Sequence, residues 1–161
     1  RPCPGSVVDE GGNVIGEHQG VAFHTIGQRQ GLGIGGRKGA REQPWYVAAK
    51  DPDANTVTVV QGNDHPALFS HELRCSTIQW IDGVGPELPF EGGAKCRYRQ
   101  PDQACRVSKA PDGWRVSFRV PQRAVTPGQS VCFYSGDRCL GGGVIEEVAR
   151  AALSSNEGVS P

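Results

Sequence analysis

The chain has 161 residues, of which 17 are basic and 17 acidic, so its formal net charge of zero does not by itself indicate a nucleic-acid partner. No long apolar run interrupts the sequence, which excludes a membrane-spanning helix and predicts that no membrane is involved. The length suits one ordinary domain or two small ones.

The charges are unevenly distributed. Residues 20–50 carry five basic residues and one acidic residue, and residues 95–138 carry nine basic and three acidic ones. These two stretches have net charges of +4 and +6, so the remainder of the chain carries −10. Such segregation predicts one basic and one acidic face, as in proteins that bind a polyanion.

Two hairpins are predicted in the first half. Residues 6–8 and 14–15 flank a Gly-Gly-Asn turn, and residues 44–50 and 56–60 flank the turn 51–55. Both pairs combine β-branched or aromatic residues with turn chemistry. Residues 67–69 are predicted to begin a short helix.

A glycine-rich stretch, residues 16–36, separates the two hairpins. Alternation at residues 21–24 predicts a short strand. Thr25 and Gln28 have capping-box spacing, which predicts a helix of one or two turns ended by Gly31, with its amides facing an anion.

The glycine loop that follows is flanked by basic residues, which are Arg29, Arg37, Lys38 and Arg41. Two interpretations stay open for it. An exposed, permissive backbone beside cations suits a phosphate-rich partner, but a hinge with solvated arginines has the same composition.

From about residue 72 the pattern changes to regularly spaced strands. They are predicted at residues 75–81, 94–99, 104–108, 114–118, 130–134 and 138–146. Asp112-Gly113 predicts a hairpin turn, and the TPGQ sequence at residues 126–129 predicts a type II turn. Six short strands predict a small barrel. The predicted domains are residues 1–68 and 69–149, followed by a flexible tail at 150–161.

Residues 95–100, KCRYRQ, alternate with strand period. As a strand they would place Lys95, Arg97 and Arg99 on one face at steps of about 6.6 Å, a row that can follow a phosphate backbone. Cys96 and Tyr98 would then face the core, although an edge tyrosine could stack on a base. A charged outer edge of a barrel is the competing interpretation.

The remaining polar residues do not form a legible catalytic unit. The sequence contains no legible Ser/His/Asp arrangement, and His18 and His24 are interpreted as groups that support neighbouring residues or anchor the loop, not as bases. The cysteines show no CxxC pair and no zinc-ligand spacing, which favours small apolar filler residues over disulfides or metal ligands and predicts a reducing, cytoplasmic setting. They are Cys3, Cys75, Cys96, Cys105, Cys132 and Cys139.

Several segments together resemble one family. GEHQG, HTIGQR, GLGIGG, PWYVAAKD, KCRYRQ, QRAVTPGQSVCFY and CLGGGVIE, in this order, are similar to segments of the tRNA-specific 2-thiouridylases. The resemblance covers residues 4–148. It implies a mainly β fold with a small β-rich central domain, followed by a six-stranded antiparallel β-barrel similar to the second domain of translation elongation factors.

The resemblance also implies a function. Such enzymes activate the wobble uridine of tRNA with ATP and Mg²⁺ in an N-terminal adenylating domain, and a cysteine persulfide then supplies sulfur. Implied partners are the tRNA anticodon arm, that domain, and a cysteine desulfurase or sulfur-relay protein. This chain has no SGGxDS loop, so it is expected to be a tRNA-binding fragment without cofactor, metal or catalytic residues of its own, and inactive alone.

The implied tRNA contacts are Arg97, Tyr98 and Gln129, to which the basic pattern adds Lys95 and Arg99. A second implied surface faces the catalytic domain or the anticodon and comprises Thr25, Gln28, Arg29, Gly31 and Gly33. Two other function classes stay open: a protein-interaction or translation-factor-like barrel without tRNA specificity, and an independent enzyme with a cysteine nucleophile.

Overall fold

A computed structural model describes residues 2–34 and 43–150. The chain divides into two compact units, one ending at Leu68 and one spanning Phe69–Arg150. The later part of the predicted glycine loop and almost all of the predicted tail lie outside the described residues. Strands dominate the described part of the chain, which confirms the mainly β fold.

The first unit contains a four-stranded sheet. Its strands are β1 (Gly5–Val8), β2 (Val14–His18), β3 (Trp45–Asp51) and β4 (Thr56–Gln61). They lie in the order β2-β1-β4-β3, and both predicted hairpins are confirmed as antiparallel pairs. The parallel pairing of β1 with β4 joins the two hairpins into one sheet.

Apolar β-branched residues explain why this sheet holds together. Val7, Val57 and Val59 are fully buried, at the inward positions of β1 and β4. The turn between β3 and β4 is closed by Asp51, whose carboxylate accepts hydrogen bonds from the amides of Asp53 and Ala54. Side-chain to backbone bonds of this kind favour a turn over continuation of the strand.

The second unit contains an eight-stranded antiparallel sheet. Its strands are β5 (Phe69–Cys75), β6 (Ile78–Trp80), β7 (Phe90–Lys95), β8 (Gln103–Ala110), β9 (Gly113–Arg123), β10 (Ser130–Ser135), β11 (Arg138–Val144) and β12 (Glu147–Arg150). They lie in the order β12-β5-β9-β8-β7-β10-β11-β6. Strand β6 follows directly after β5, and β12 follows directly after β11. Because β5 pairs with β12 and β6 pairs with β11, the same two stretches of chain, β5–β6 and β11–β12, form both ends of the sheet. Counted through these continuations, six strands form the connectivity of a small barrel.

The core of the second unit is filled from the inward faces of these strands. Phe133, Leu73 and Val107 are fully buried at its centre. Three of the predicted filler cysteines, Cys75, Cys96 and Cys105, pack in this core with them. Trp80 and Trp114 pack against this core. Their two rings contact each other edge to face, with centroids 5.6 Å apart.

Three sequence predictions of local structure are wrong. The predicted strand at 21–24 is a 3-10 turn, Val21–Phe23. The predicted helix after Thr25 is a β-turn in which the Gln28 amide donates to the Thr25 carbonyl at 3.0 Å. Gly27 has φ +87°, which a helix does not accommodate. The predicted strand at 75–81 is divided by Ser76 and Thr77 into β5 and β6.

Candidate RNA-binding surface

The prediction of a strand at 94–99 is wrong beyond Lys95, because most of the KCRYRQ segment forms a turn. Strand β7 ends at Lys95, and the amide of Gln100 donates to the Arg97 carbonyl at 3.2 Å to close a turn. Pro101 follows and cannot donate to a ladder, which fits the end of strand pairing here. Lys95, Arg97 and Arg99 therefore do not form an evenly spaced row along one strand.

The turn presents its aromatic residue to solvent. Tyr98 is 96% exposed, and Arg97 and Arg99 on either side of it are exposed as well. The prediction that Tyr98 faces the core is wrong, whereas Cys96 does pack in the core. A turn explains both placements because its residues are not bound to the alternating directions of a strand.

Lys95 stands apart from the two arginines. It is half-buried at the end of β7, and its Nζ lies 4.9 Å from the centre of the Tyr134 ring. A lysine at this distance from an aromatic face makes a cation–π contact. Its charge is therefore held beside β10.

Arg97 connects the turn to a second motif. Its Nη2 donates to the Ala124 carbonyl at 3.5 Å, and the Thr126 hydroxyl donates to the same oxygen at 3.0 Å. Ala124 has φ +58°, an uncommon conformation for alanine that turns the chain after β9. The contact brings residues 97–99 beside the segment that leads into the TPGQ turn.

The predicted type II turn at residues 126–129 is confirmed. Gly128 has φ +92°, and the Gln129 amide donates to the Thr126 carbonyl at 3.2 Å. Two backbone hydrogen bonds with Ile145, at 2.7 and 2.8 Å, fix the turn to the end of β11. The side-chain oxygen of Gln129 has no hydrogen-bond partner in the described chain.

The arginines of the turn are not neutralised by carboxylates. Elsewhere among the described residues, Arg74 and Arg115 do form ion pairs within 4 Å, and they share Glu72. Arg97 and Arg99 form no such pair in that part of the chain. Their charges are available to a phosphate group, which an arginine already bound to a carboxylate would contact less readily.

The second predicted surface lies in the first unit. Gln28 is central to it: its Oε1 accepts from the Thr25 amide at 2.9 Å, and its Nε2 donates to the Gln30 carbonyl at 2.8 Å. The first of these bonds is half of a capping box, formed here without a helix. Arg29, next to it, is exposed.

The glycines of this loop are explained by close packing. Gly33 has φ +66°, and a Cβ there would lie 2.3 Å from the Glu17 carbonyl oxygen. A Cβ on Gly16 would lie 2.5 Å from the Gly33 carbonyl oxygen. The two backbones cross so closely that only glycine fits at either position, which accounts for Gly16 and Gly33 without a phosphate.

The two histidines interpreted as loop anchors are buried and precede this loop in the sequence. His18 and His24 are buried with ring centroids 5.8 Å apart, and Lys50 Nζ donates to the His24 carbonyl at 2.8 Å. His18 Nε2 lies 2.9 Å from the Asn55 carbonyl oxygen. Burial, with the nearby His18 and Lys50, lowers the pKa of His24.

Clusters of metal-ligating side chains and membrane-spanning helices are both absent from the described residues. No three His, Cys, Asp or Glu side chains in that part of the chain come together as a metal-binding group. No helix long and apolar enough to cross a membrane occurs there either. The exposed turn with Arg97, Tyr98 and Arg99 can contact anions and nucleobases at the surface.

Two family models match the chain. The tRNA methyl transferase PRC-barrel domain matches residues 1–61, and the Aminomethyltransferase beta-barrel domain matches residues 70–145. The tRNA-specific 2-thiouridylase MnmA of Hahella chejuensis is 60% identical over 145 residues, which are 90% of this chain and 40% of that protein. The proteins of the same name from Stutzerimonas stutzeri and Alcanivorax borkumensis are both 58% identical, over 89% and 91% of this chain and 38% and 40% of their own lengths.

The chain belongs to the tRNA-specific 2-thiouridylase family. It spans about 40% of the length of the curated relatives it matches. In this family member, sequence reasoning missed Ala124 and Gln122, which contact the arginine turn from β9 and the segment after it. A polar residue at a buried position of a strand was the available signal for Gln122.

Proposed function

We propose that this chain is the tRNA-binding portion of a tRNA 2-thiouridylase. One observation carries the proposal: Tyr98 is 96% exposed between two unpaired arginines, on a turn joined by Arg97 to the segment before the TPGQ turn. An aromatic ring held in water beside cations is suited to stack on an unpaired base or to bind a ribose.

Each side chain contributes a different interaction. Arg97 and Arg99 each neutralise one phosphate, Tyr98 contacts a base or sugar, and the Gln129 amide donates or accepts a hydrogen bond without adding charge. Lys95 adds a further positive charge to this surface from its position beside Tyr134. Unpaired nucleotides of an anticodon arm offer all three kinds of group to such a surface.

In the whole enzyme, this portion presents the anticodon arm for sulfur transfer to the wobble uridine in the cytoplasm. ATP and Mg²⁺ are bound by an N-terminal adenylating domain, and sulfur comes from a cysteine desulfurase or a relay protein. The loop containing Thr25, Gln28, Arg29, Gly31 and Gly33 faces that domain or the anticodon. The chain alone forms no 2-thiouridine, and any thiolated tRNA made by the pure chain with ATP and a sulfur donor would contradict this.

The experiment is tRNA binding, measured by fluorescence anisotropy over a salt series. Arg97→Ala and Arg99→Ala should each lower the slope of log affinity against log salt by about 0.7 to 0.9, because each removes one phosphate contact. Arg138→Ala, which removes an exposed arginine at the start of β11, is the matched control and should leave the slope unchanged. Unchanged affinity and slope in both turn variants would reject the proposal.

Two uncharged changes test the other contacts. Gln129→Ala and Tyr98→Phe should weaken tRNA binding while leaving the salt slope as it is, since neither removes a charge. Tyr98 is exposed, so Tyr98→Phe should not change the unfolding midpoint. Binding that is insensitive to salt would favour the protein-interaction class instead.

A further inference from the structure

A buried glutamine lies behind the arginine turn. Gln122 is 4% exposed on β9, opposite Ser70 of β5. Its Nε2 donates to the Val120 carbonyl at 2.8 Å and to Gln103 Oε1 at 3.3 Å, and its Oε1 accepts from Gln100 Nε2 at 3.1 Å. Both amide hydrogens and the carbonyl oxygen are therefore used.

This amide holds the connection between β7 and β8 at two points. Gln100 closes the arginine turn, since its backbone amide donates to the Arg97 carbonyl. Gln103 is the first residue of β8, and its side-chain Nε2 donates to the Pro101 carbonyl at 3.0 Å. The three glutamines thus form a continuous relay from β9 to the turn and to the start of the next strand.

Packing alone does not explain a glutamine at this position. Gln122 is not a member of the apolar core cluster. An apolar side chain of similar length would occupy the same space without three hydrogen bonds to satisfy, and burying an amide stabilises a structure only when those bonds are made. Two of the three bonds are made to the side chains of Gln100 and Gln103, in or beside the turn. The glutamine therefore contributes an ordered turn that an apolar side chain would not.

We infer that Gln122 is a positioning residue for RNA binding: through Gln100 it fixes the turn that presents Arg97, Tyr98 and Arg99. The inference rests on the proposed function of this turn. A turn that is already ordered loses less conformational entropy when it binds, so the relay raises affinity without touching RNA. Because it contributes no charge, its removal should leave the salt dependence unaltered.

The test uses the whole 161-residue chain with Gln122→Met, which keeps the length of the side chain and removes its hydrogen bonds. The amide of Gln100 should exchange with solvent about tenfold faster, and the Kd for tRNA should rise about five- to tenfold with an unchanged salt slope. Gln79→Met is the matched control: Gln79 is an exposed glutamine of β6, and its replacement should change neither quantity.

Gln100→Met removes the same hydrogen bond between Gln100 and Gln122 from its other end. It stays informative if Gln122→Met fails to fold. It should raise the Kd to a similar extent. The double variant should be no weaker than the weaker single variant, because both changes break one connection.

The outcomes separate the two claims. If both variants bind tRNA as the unchanged chain does, while Arg97→Ala weakens binding, the positioning role is rejected and the proposed function stands. Additive losses in the double variant would also reject the relay. If Arg97→Ala and Arg99→Ala have no effect either, the proposed function fails, and the inference fails with it even where exchange at Gln100 is faster.

Discussion

The guanidinium Nη2 of Arg97 lies 3.5 Å from the carbonyl oxygen of Ala124, across 27 positions of the sequence. Because the hydroxyl of Thr126 donates to the same oxygen, this contact joins the KCRYRQ turn to the beginning of the TPGQ turn. The two motifs are therefore neighbours on one surface of the second unit. A change in the backbone of one should be felt in the RNA contacts of the other.

Gly128→Ala tests this dependence. Gly128 has φ +92° with open space beyond its Cα, so alanine would suffer conformational strain without a clash. Left-handed conformations cost an L-residue about 1–2 kcal/mol, so urea unfolding should show a loss of stability of this size. Binding of tRNA should weaken as well, because the turn that carries Gln129 is disturbed.

Gly136→Ala is the matched control for that change. Gly136 has φ +57°, also with open space around it, in the turn between β10 and β11. It should lose a similar amount of stability and retain full tRNA affinity when assayed under folding conditions. Equal tRNA affinities for the two variants would show that the conformation of the TPGQ turn is irrelevant to binding.

The buried histidine pair predicts a dependence of stability on pH. Burial, His18 and Lys50 keep the pKa of His24 below its ordinary value of 6.5 in the folded state. The unfolded state therefore binds more protons below about pH 6.5, so the free energy of unfolding should fall as the pH falls through that value. Urea unfolding measured between pH 5 and 8, a range that brackets the ordinary histidine pKa of 6.5, would show the slope.

His24→Gln should make that profile flatter, although it lowers stability at neutral pH through lost packing. His71→Gln, at an exposed position of β5, serves as the control and should keep the slope of the unchanged chain. An identical pH profile in His24→Gln and the unchanged chain would exclude His24 as its source.

Thiol reactivity should follow burial. Desolvation raises the pKa of Cys75 to about 11, of Cys96 to about 12 and of Cys105 to about 11. At pH 8 only about one in a thousand or fewer of these thiols is ionised, so they should react with a disulfide reagent only on unfolding. Cys3 is exposed and should account for the fastest phase of the reaction, ahead of the half-buried Cys132 and Cys139. Survival of that fastest phase in Cys3→Ser would contradict this assignment.

The strands were predictable where apolar residues alternate. Val57 and Val59 on β4, or Val116 and Phe118 on β9, point to one side and are buried, so period-two patterning identified both elements. KCRYRQ also alternates, yet its strand ends at Lys95. The pattern could not show that the chain turns after Lys95, or that Gln100 bonds to Gln122, a residue 22 positions away.

The glycine-rich loop shows a second limit of sequence reasoning. Gly16 and Gly33 face each other across a backbone crossing, and a side chain at either position would strike the opposite chain. A phosphate-binding loop and a tight crossing both require glycine, so composition alone left the two open. The close approach is tertiary, and local sequence does not specify it.

The most direct test of the tRNA-binding account is an NMR titration of the whole chain with an anticodon stem-loop. Backbone amide shifts should change at residues 97–99 and at Gly128 and Gln129, and should stay constant at the hairpin turn between β8 and β9. The changes should diminish in high salt, because the interaction depends on phosphate contacts. Shifts confined to other surfaces, with residues 97–99 and Gln129 unchanged at saturating RNA, would contradict the account.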